Sequence, residues 1–308
     1  MKRIIITGGA GFVGNAVIRE LLAHHVEVWA VVRPGFRNRL NSSRLEGLPV
    51  HLVECDLKSI GNLPGLISAR GFDAWYQFAW DGLRGEDLTD YHKQIANIGY
   101  VLDAVCAASV LGCRKFIGSG SISQYELQME GGQADAGDKH RVYKTAKLAC
   151  EYMGRSVAAS CGIEFIWPII TNIFGVGESS PRLINTMIRN LQAGKHQPLS
   201  EGNQMYDFIY ITDAAKAFRL IGERGHGGRT YVIASGEVQP LKNFLNTVRD
   251  VVAPEAELGF GEMKFNGVYM PAAIYSTAAL VEDTDFSPEV SFAEGIRRTA
   301  EWIKQTEG

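Results

Sequence analysis

The sequence predicts an α/β fold: a doubly wound parallel sheet with helices on both faces, and a smaller C-terminal α/β unit. Three observations predict it. The chain opens on a β-branched run, Ile4-Ile5-Ile6, which ends in a glycine-rich turn and leads into an amphipathic stretch over residues 15–22. Short apolar runs then alternate with long segments of helical periodicity, as strands joined by crossover helices do. The second run, residues 26–32, is apolar almost throughout, the mark of a parallel strand covered on both faces.

Composition narrows the class. A chain of 308 residues holds one large α/β domain or two smaller ones, and 46% hydrophobic with 21% charged residues excludes a disordered chain. A formal net charge of -3 gives no reason to expect nucleic acid or an acidic membrane surface as partner. No apolar run approaches the ~20 residues that cross a bilayer, and no signal-like segment precedes the first strand, so the expected location is the cytoplasm. Cys55, Cys106, Cys113, Cys150 and Cys161 are odd in number and lack CxxC spacing. They read as buried thiols in a reducing compartment, and no metal site is expected.

The glycine-rich turn is TGGAGFVG, residues 7–14. Gly8 allows the tight turn, Gly11 lets the backbone approach a pyrophosphate, and Gly14 lets the following helix pack onto the strand. The unpaired N–H groups at the helix start then face the anion. After the second strand, where NAD-binding units usually place a carboxylate for the ribose 2′-OH, stands Arg33, with Arg37 and Arg39 close behind. A guanidinium can grip a 2′-phosphate bidentately, which favours NADP(H) over NAD(H); the bland alternative is a solvated basic loop.

The remaining elements follow in order. Residues 50–54 form the third strand, after which Asp56 either caps the next helix or bonds an adenine amino group. Residues 73–79 form the fourth, ending in Ala79-Trp80-Asp81-Gly82, a loop that passes over the cofactor, and 83–90 form a polar rim. Ile95, Ile98, Val101, Leu102, Val105 and Ala108 place a helix over 91–111. The fifth strand, 114–118, runs into the hydroxyl-rich turn GSGSISQY, and 126–140 reads as a surface loop. A helix runs from Arg141 to about Ser160, then a strand over 163–167 and a helix over 181–191. Residues 208–218 return a strand and a helix, capped by Asp213, and 231–234 form a further strand. Helices over 241–252 and 292–304 complete the chain. The units interleave: 1–168 with 207–236 bind the dinucleotide, and 169–206 with 237–308 bind substrate.

Tyr143 and Lys147 are four apart and share a helix face. The Lys147 charge is expected to favour the phenolate, lowering a pKa that starts near ~10. Such a phenol exchanges a proton with a sugar or alcohol oxygen while hydride moves at the adjacent carbon, and Ser121 can hydrogen-bond the same oxygen.

Through TGGAGFVG, Cys55-Asp56-Leu57, QFAW at 77–80, GSGSISQY, YKTAK at 143–147, DFIYITDAAKA at 207–217 and SFAEGIRRTAEWIK near the C-terminus, the sequence resembles the extended short-chain dehydrogenase/reductases. That group comprises nucleotide-sugar epimerases, dehydratases and reductases on a Rossmann-type sheet. The resemblance implies that Phe12, Val13, Asp56, Leu57, Phe78, Ala79, Trp80, Tyr143 and Lys147 touch the cofactor, and that Ser121, Tyr143 and Lys147 are catalytic. It places Trp80, Ser121, Tyr125, Asn172, Arg182 and Tyr206 about a nucleotide-diphosphate sugar, with Asn172 on the diphosphate. Two positions depart from the family. Trp167-Pro168 replaces an arginine, and Tyr206 replaces another that grips the diphosphate, leaving Arg182 and Lys264 as candidate cations.

Family 4,6-dehydratases carry an Asp-Glu pair directly after the catalytic hydroxyl residue; Ile122 and Ser123 stand here, which argues against that reaction. An NADPH-dependent keto-sugar reductase is the favoured reading. The alternatives are an NAD-dependent nucleotide-sugar 4-epimerase, a reductase of hydrophobic aldehydes or ketones, and a non-enzymatic NADP-binding regulator. The resemblance also implies a homodimer built as a four-helix bundle from the helices at 91–111 and 141–160, with Ala104, Ala107, Ala108, Ala146 and Ala149 allowing close approach.

Overall fold

In β1 (Arg3–Thr7) successive side chains face opposite sides of the sheet, and the two sides go into different cores. Ile4 and Ile6 join one cluster; Ile5 joins the other. Every residue of this strand beyond Arg3 is therefore covered. A computed structural model describes residues 1–38, 41–83, 85–129 and 140–307. Arg39 lies outside the described residues, as do Arg84 of the expected rim and 130–139 of the expected surface loop.

The central sheet is parallel, with strand order β3-β2-β1-β4-β5-β6: β2 is Glu27–Val32, β3 Val50–Glu54, β4 Ala74–Gln77, β5 Lys115–Ile117 and β6 Glu164–Ile166. The order reverses beside β1, so the crevice at the carboxyl ends opens over the glycine turn. On one face, α1 (Phe12–Ala23) and a helix from late in the chain, Ile211–Arg224, bury Val17, Ile18, Phe218 and Ile221 against Ile4, Ile6, Ala74 and Tyr76. On the other, α2 (Tyr91–Val110) and the helix Arg141–Cys161 bury Val101, Ala104, Val105, Ala146 and Cys150 against Ile5, Trp75, Phe116 and Phe165. A second parallel sheet joins Gly120–Ser121, Ile169–Ile170 and Val232–Ile233.

The expected loop at 126–140 begins instead inside a helix, α3 (Ser123–Met129). Its single buried residue is Gln124, so the inward face carries no apolar period to read. The next helix, α4, is Arg141–Cys161, followed by α5 (Leu183–Gln192), α6 (Ile211–Arg224), α7 (Leu241–Val252) and α8 (Phe292–Glu307). Asp213 does not cap α6. Tyr210 occupies the cap position, while the buried Asp213 carboxylate accepts the N–H groups of Glu289 and Val290 at 3.0 Å and ties the approach to α8 down.

Two further expectations change. Cys55, Cys113 and Cys150 are buried, but Cys106 is exposed and Cys161 partly so, because both lie on outward faces of α2 and α4 with their sulfurs 3.7 Å apart. Ala104, Ala107, Ala108 and Ala146 are buried within the chain, where they let α2 and α4 pack. Those helices turn outward Tyr91, Ile95, Val110, Tyr152 and Met153. No helix among the described residues is long and apolar enough to cross a membrane.

Candidate active site

The turn after β1 depends on its glycines. Gly8 has φ +70°, and a Cβ there would stand 2.6 Å from the Ala79 nitrogen. At Gly14 a Cβ would meet the Gly8 carbonyl oxygen at 2.4 Å. Gly11 donates its N–H to Gly8 O at 2.9 Å and forms the cap of α1, with no side chain to satisfy the first helical N–H groups, those of Phe12 and Val13 included. An anion can take that place.

A cavity of about 690 Å³ opens on this turn. Of the expected cofactor contacts, Gly8, Gly11, Arg33, Leu57, Phe78, Ala79 and Trp80 line it. Asp56 takes the capping role, its carboxylate accepting Lys58 N–H at 3.0 Å. Sequence reading missed Phe36 and Asn41 in the wall, while Asp81 lies in the loop expected to pass over the cofactor. Phe36 and Asn41 follow Arg33 closely; position past a strand end was the only signal they gave. Bare glycine backbone, an uncapped helix start and a cavity of small-molecule size fit a dinucleotide.

Ser121, Tyr143 and Lys147 converge beside the cavity wall formed by Trp80. Ser121 is held by pairing of its strand with Ile170, and Gln124 Oε1 accepts its N–H at 2.9 Å. The same Gln124 oxygen takes the Trp167 indole N–H at 3.1 Å, and its amide donates to Glu151 at 2.9 Å. Gln124 thus fixes the hydroxyl-rich turn, a positioning role the sequence did not reveal. The Ser121 hydroxyl hydrogen-bonds the Tyr143 phenol. Lys147 donates to Ser119 O at 2.8 Å, and its ammonium lies 3.7 Å from the Trp80 ring centroid. Trp80 meets Tyr143 edge-on, centroids 5.9 Å apart, and its indole N–H is held by the buried Gln94 at 2.9 Å.

The electrostatics correct one expectation. Burial pushes the Tyr143 phenol up, against smaller downward pulls from the Ser121 hydrogen bond and the Arg182 charge. Burial also brings Lys147 down to about 7. A lysine buried among aromatic rings is a weak source of charge for its neighbour, so desolvation wins over the expected acidification.

The positions expected to face substrate are phenolic. Tyr125 and Tyr206 are both pushed up by burial and then by the nearby carboxylates of Glu151 and Glu126 respectively. Glu126 pairs with the buried Lys144 at 2.7 Å. The Asn172 amide donates one of its two N–H groups to Asp207 O at 3.0 Å, beside the strand pair Asn172–Phe174 and Phe208–Tyr210. Arg182, at the start of α5, is near enough to act on the Tyr143 phenol and keeps most of its side chain exposed. Lys264 is exposed. Trp167, in the arginine's place, is 1% exposed and stacks on Phe165, so it belongs to the core.

A family model described as NAD dependent epimerase/dehydratase family matches residues 4–234. The chain belongs to this family. It is an enzyme of the extended short-chain dehydrogenase/reductase nucleotide-sugar group. Among relatives in the family, the UDP-glucose 4-epimerase of Corynebacterium glutamicum is 24% identical over 280 residues, covering 81% of this chain and 80% of that one. An Arabidopsis thaliana protein, "Trifunctional UDP-glucose 4,6-dehydratase/UDP-4-keto-6-deoxy-D-glucose 3,5-epimerase/UDP-4-keto-L-rhamnose-reductase RHM1", is 21% identical over 99% of this chain, which spans only 47% of its length. The solved UDP-glucose 4-epimerase of Thermotoga maritima with UDP-glucose superposes with a TM-score of 0.80 at 18% identity, covering 99% of this chain and all of the other. Solved structures of like fold hold NADH, NAD+ or NADPH.

Proposed function

We propose that this family member is an NADPH-dependent reductase of a keto nucleotide sugar. The observation that carries the reading is Arg33, a guanidinium in the wall of the dinucleotide cavity where a carboxylate serves NAD. When bound, the nicotinamide supplies the hydride. Tyr143, kept protonated by burial, gives its proton to the substrate carbonyl oxygen. Ser121 donates a hydrogen bond to the same oxygen and orients the phenol. Lys147, steadied by Ser119 O and the Trp80 face, holds the nicotinamide ribose. Arg182 is the cation best placed for an anionic part of the substrate. A homodimer through the outward faces of α2 and α4, in the cytoplasm, belongs to the same reading.

An NAD-dependent 4-epimerase is the second reading. It is favoured by Arg33 already being paired, its Nη2 3.7 Å from the Asp81 carboxylate. The deciding experiment identifies the dinucleotide that copurifies and compares NADPH with NADH binding to the emptied protein. Retained NAD supports the epimerase; an empty site that prefers NADPH supports the reductase. Saturation-transfer NMR against a panel of nucleoside diphosphates tests the substrate class, and no binding of any refutes it.

A further inference from the structure

Arg33 and Asp81 approach from opposite sides of the glycine turn. Arg33 follows β2 and Asp81 follows β4, with β1 between those strands in the sheet. Their side chains meet at 3.7 Å, half and a third exposed, and both line the 690 Å³ cavity. Among the described residues lining that cavity, Arg33 is the one cation and Asp81 and Asp87 are the carboxylates. Asp87 is bound by Lys93 at 2.5 Å, whereas the ion-pair partner of Asp81 is Arg33. The main chain of Asp81 is fixed separately. Its N–H donates to Asn97 Oδ1 at 2.8 Å, and its carbonyl accepts from Asn97 Nδ2 at 2.7 Å, with Asn97 itself 1% exposed. The carboxylate is thus held at the groove by bonds that do not involve it.

We propose that Asp81 is a specificity-determining residue for the dinucleotide, a counter-ion that a 2′-phosphate must displace from Arg33. The proposal rests on the reading of Arg33 as the 2′-phosphate ligand. A half-exposed ion pair is weak, so a phosphate that engages the guanidinium bidentately replaces it. The released carboxylate then remains tethered beside the phosphate, and like charges a few ångströms apart repel. A ribose 2′-OH carries no charge and leaves the pair intact. Asp81 therefore weakens binding of the phosphorylated dinucleotide selectively and makes the preference set by Arg33 shallower than Arg33 alone would give.

The test is equilibrium titration of NADPH and NADH into the emptied protein, its Asp81→Asn and Arg33→Ala variants, and the double variant. Asparagine preserves the shape, and the Asn97 bonds use main-chain atoms, so the fold is retained. Asp81→Asn is expected to tighten NADPH about fivefold and to change NADH less than about twofold. The gain is expected to shrink at high salt, and to shrink in the Arg33→Ala background to the part that direct carboxylate–phosphate repulsion supplies. An unchanged NADPH affinity, an equal gain for NADH, or a gain undiminished without Arg33 overturns the proposal. The wild-type ratio tests the underlying reading separately. A wild type that binds NADH more tightly refutes NADPH preference, whereas the effect of Asp81→Asn is read against the wild type's own NADPH affinity.

Discussion

The Lys147 ammonium stands over the Trp80 indole, 3.7 Å from the ring centroid, and the edge of that interaction reaches Tyr143, whose ring is 5.9 Å from Trp80. Lysine and phenol are thus coupled through an aromatic ring. Burial sets both ionisations, drawing Lys147 down to about 7 and pushing Tyr143 up. A protonated phenol is the form needed to donate to a carbonyl oxygen, so the direction of the shift suits reduction.

Replacing Tyr143 by Phe removes the proton and little else. Turnover is expected to fall about 10²–10⁴-fold while dinucleotide affinity stays within about twofold. Steady-state assay with calorimetric titration reads both. Retention of most turnover would take the phenol out of the mechanism, and a partner response surviving intact would favour a regulator.

Lys147 makes the stability of the dinucleotide-free protein depend on pH. Its ordinary value of 10.5 falls to about 7 on folding, so between these limits the unfolded chain holds the extra proton. Stability from this group therefore rises as pH climbs from 7 and is lost as pH falls back to 7. Urea midpoints of wild type and Lys147→Met, compared from pH 6.5 to 8.5, are expected to shift in favour of wild type as pH rises. A difference that does not move with pH refutes the buried cation.

Gly14→Ala drives a methyl into the Gly8 carbonyl, 2.4 Å from the built Cβ. Backbone cannot yield as a side chain does, and a loss on the order of 2–3 kcal/mol with weakened binding of either dinucleotide is expected. Chemical denaturation and fluorescence titration check it. An unperturbed variant would mean that the turn is looser than described.

Gln124→Leu leaves the Ser121 N–H and the Trp167 indole N–H without their shared acceptor. Stability should drop by about 1–3 kcal/mol. Because Ser121 loses its anchor, kcat should fall while the dinucleotide Kd holds. A loss of stability with kcat unchanged would confine Gln124 to a structural role.

The outward faces of α2 and α4 expose Ile95, at 61%, and Tyr152, at 59%. If they pair two chains, Ile95→Asp should shift the light-scattering mass from dimer toward monomer at micromolar concentration, since a charge there is desolvated on association. A wild type that is monomeric throughout overturns the dimer.

What the sequence disclosed follows from range. The helix Leu241–Val252 was readable to the residue because its period of buried Leu241, Phe244, Leu245 and Val248 is local. So were the opening strand and its turn, where pattern and chemistry coincide. The helix Ser123–Met129 was not, since a glutamine with three polar partners occupies the place an apolar residue would mark. Nor could spacing show that Lys147 meets Trp80 before Tyr143, or that Asp81 meets Arg33. Those encounters join residues far apart in the chain. Burial, which reversed the expected shift at Tyr143, is a property of the finished packing alone.

The Tyr76 hydroxyl, rooted in β4, bonds the Phe218 carbonyl of α6 at 3.2 Å. The part of the roof that α6 adds beside α1 on that side of the sheet is therefore translated after all six strands beneath it. At ~5–20 residues per second, the greasy underside waits seconds for its lid. The nascent polypeptide, rather than the mature enzyme, is the form most in need of a chaperone.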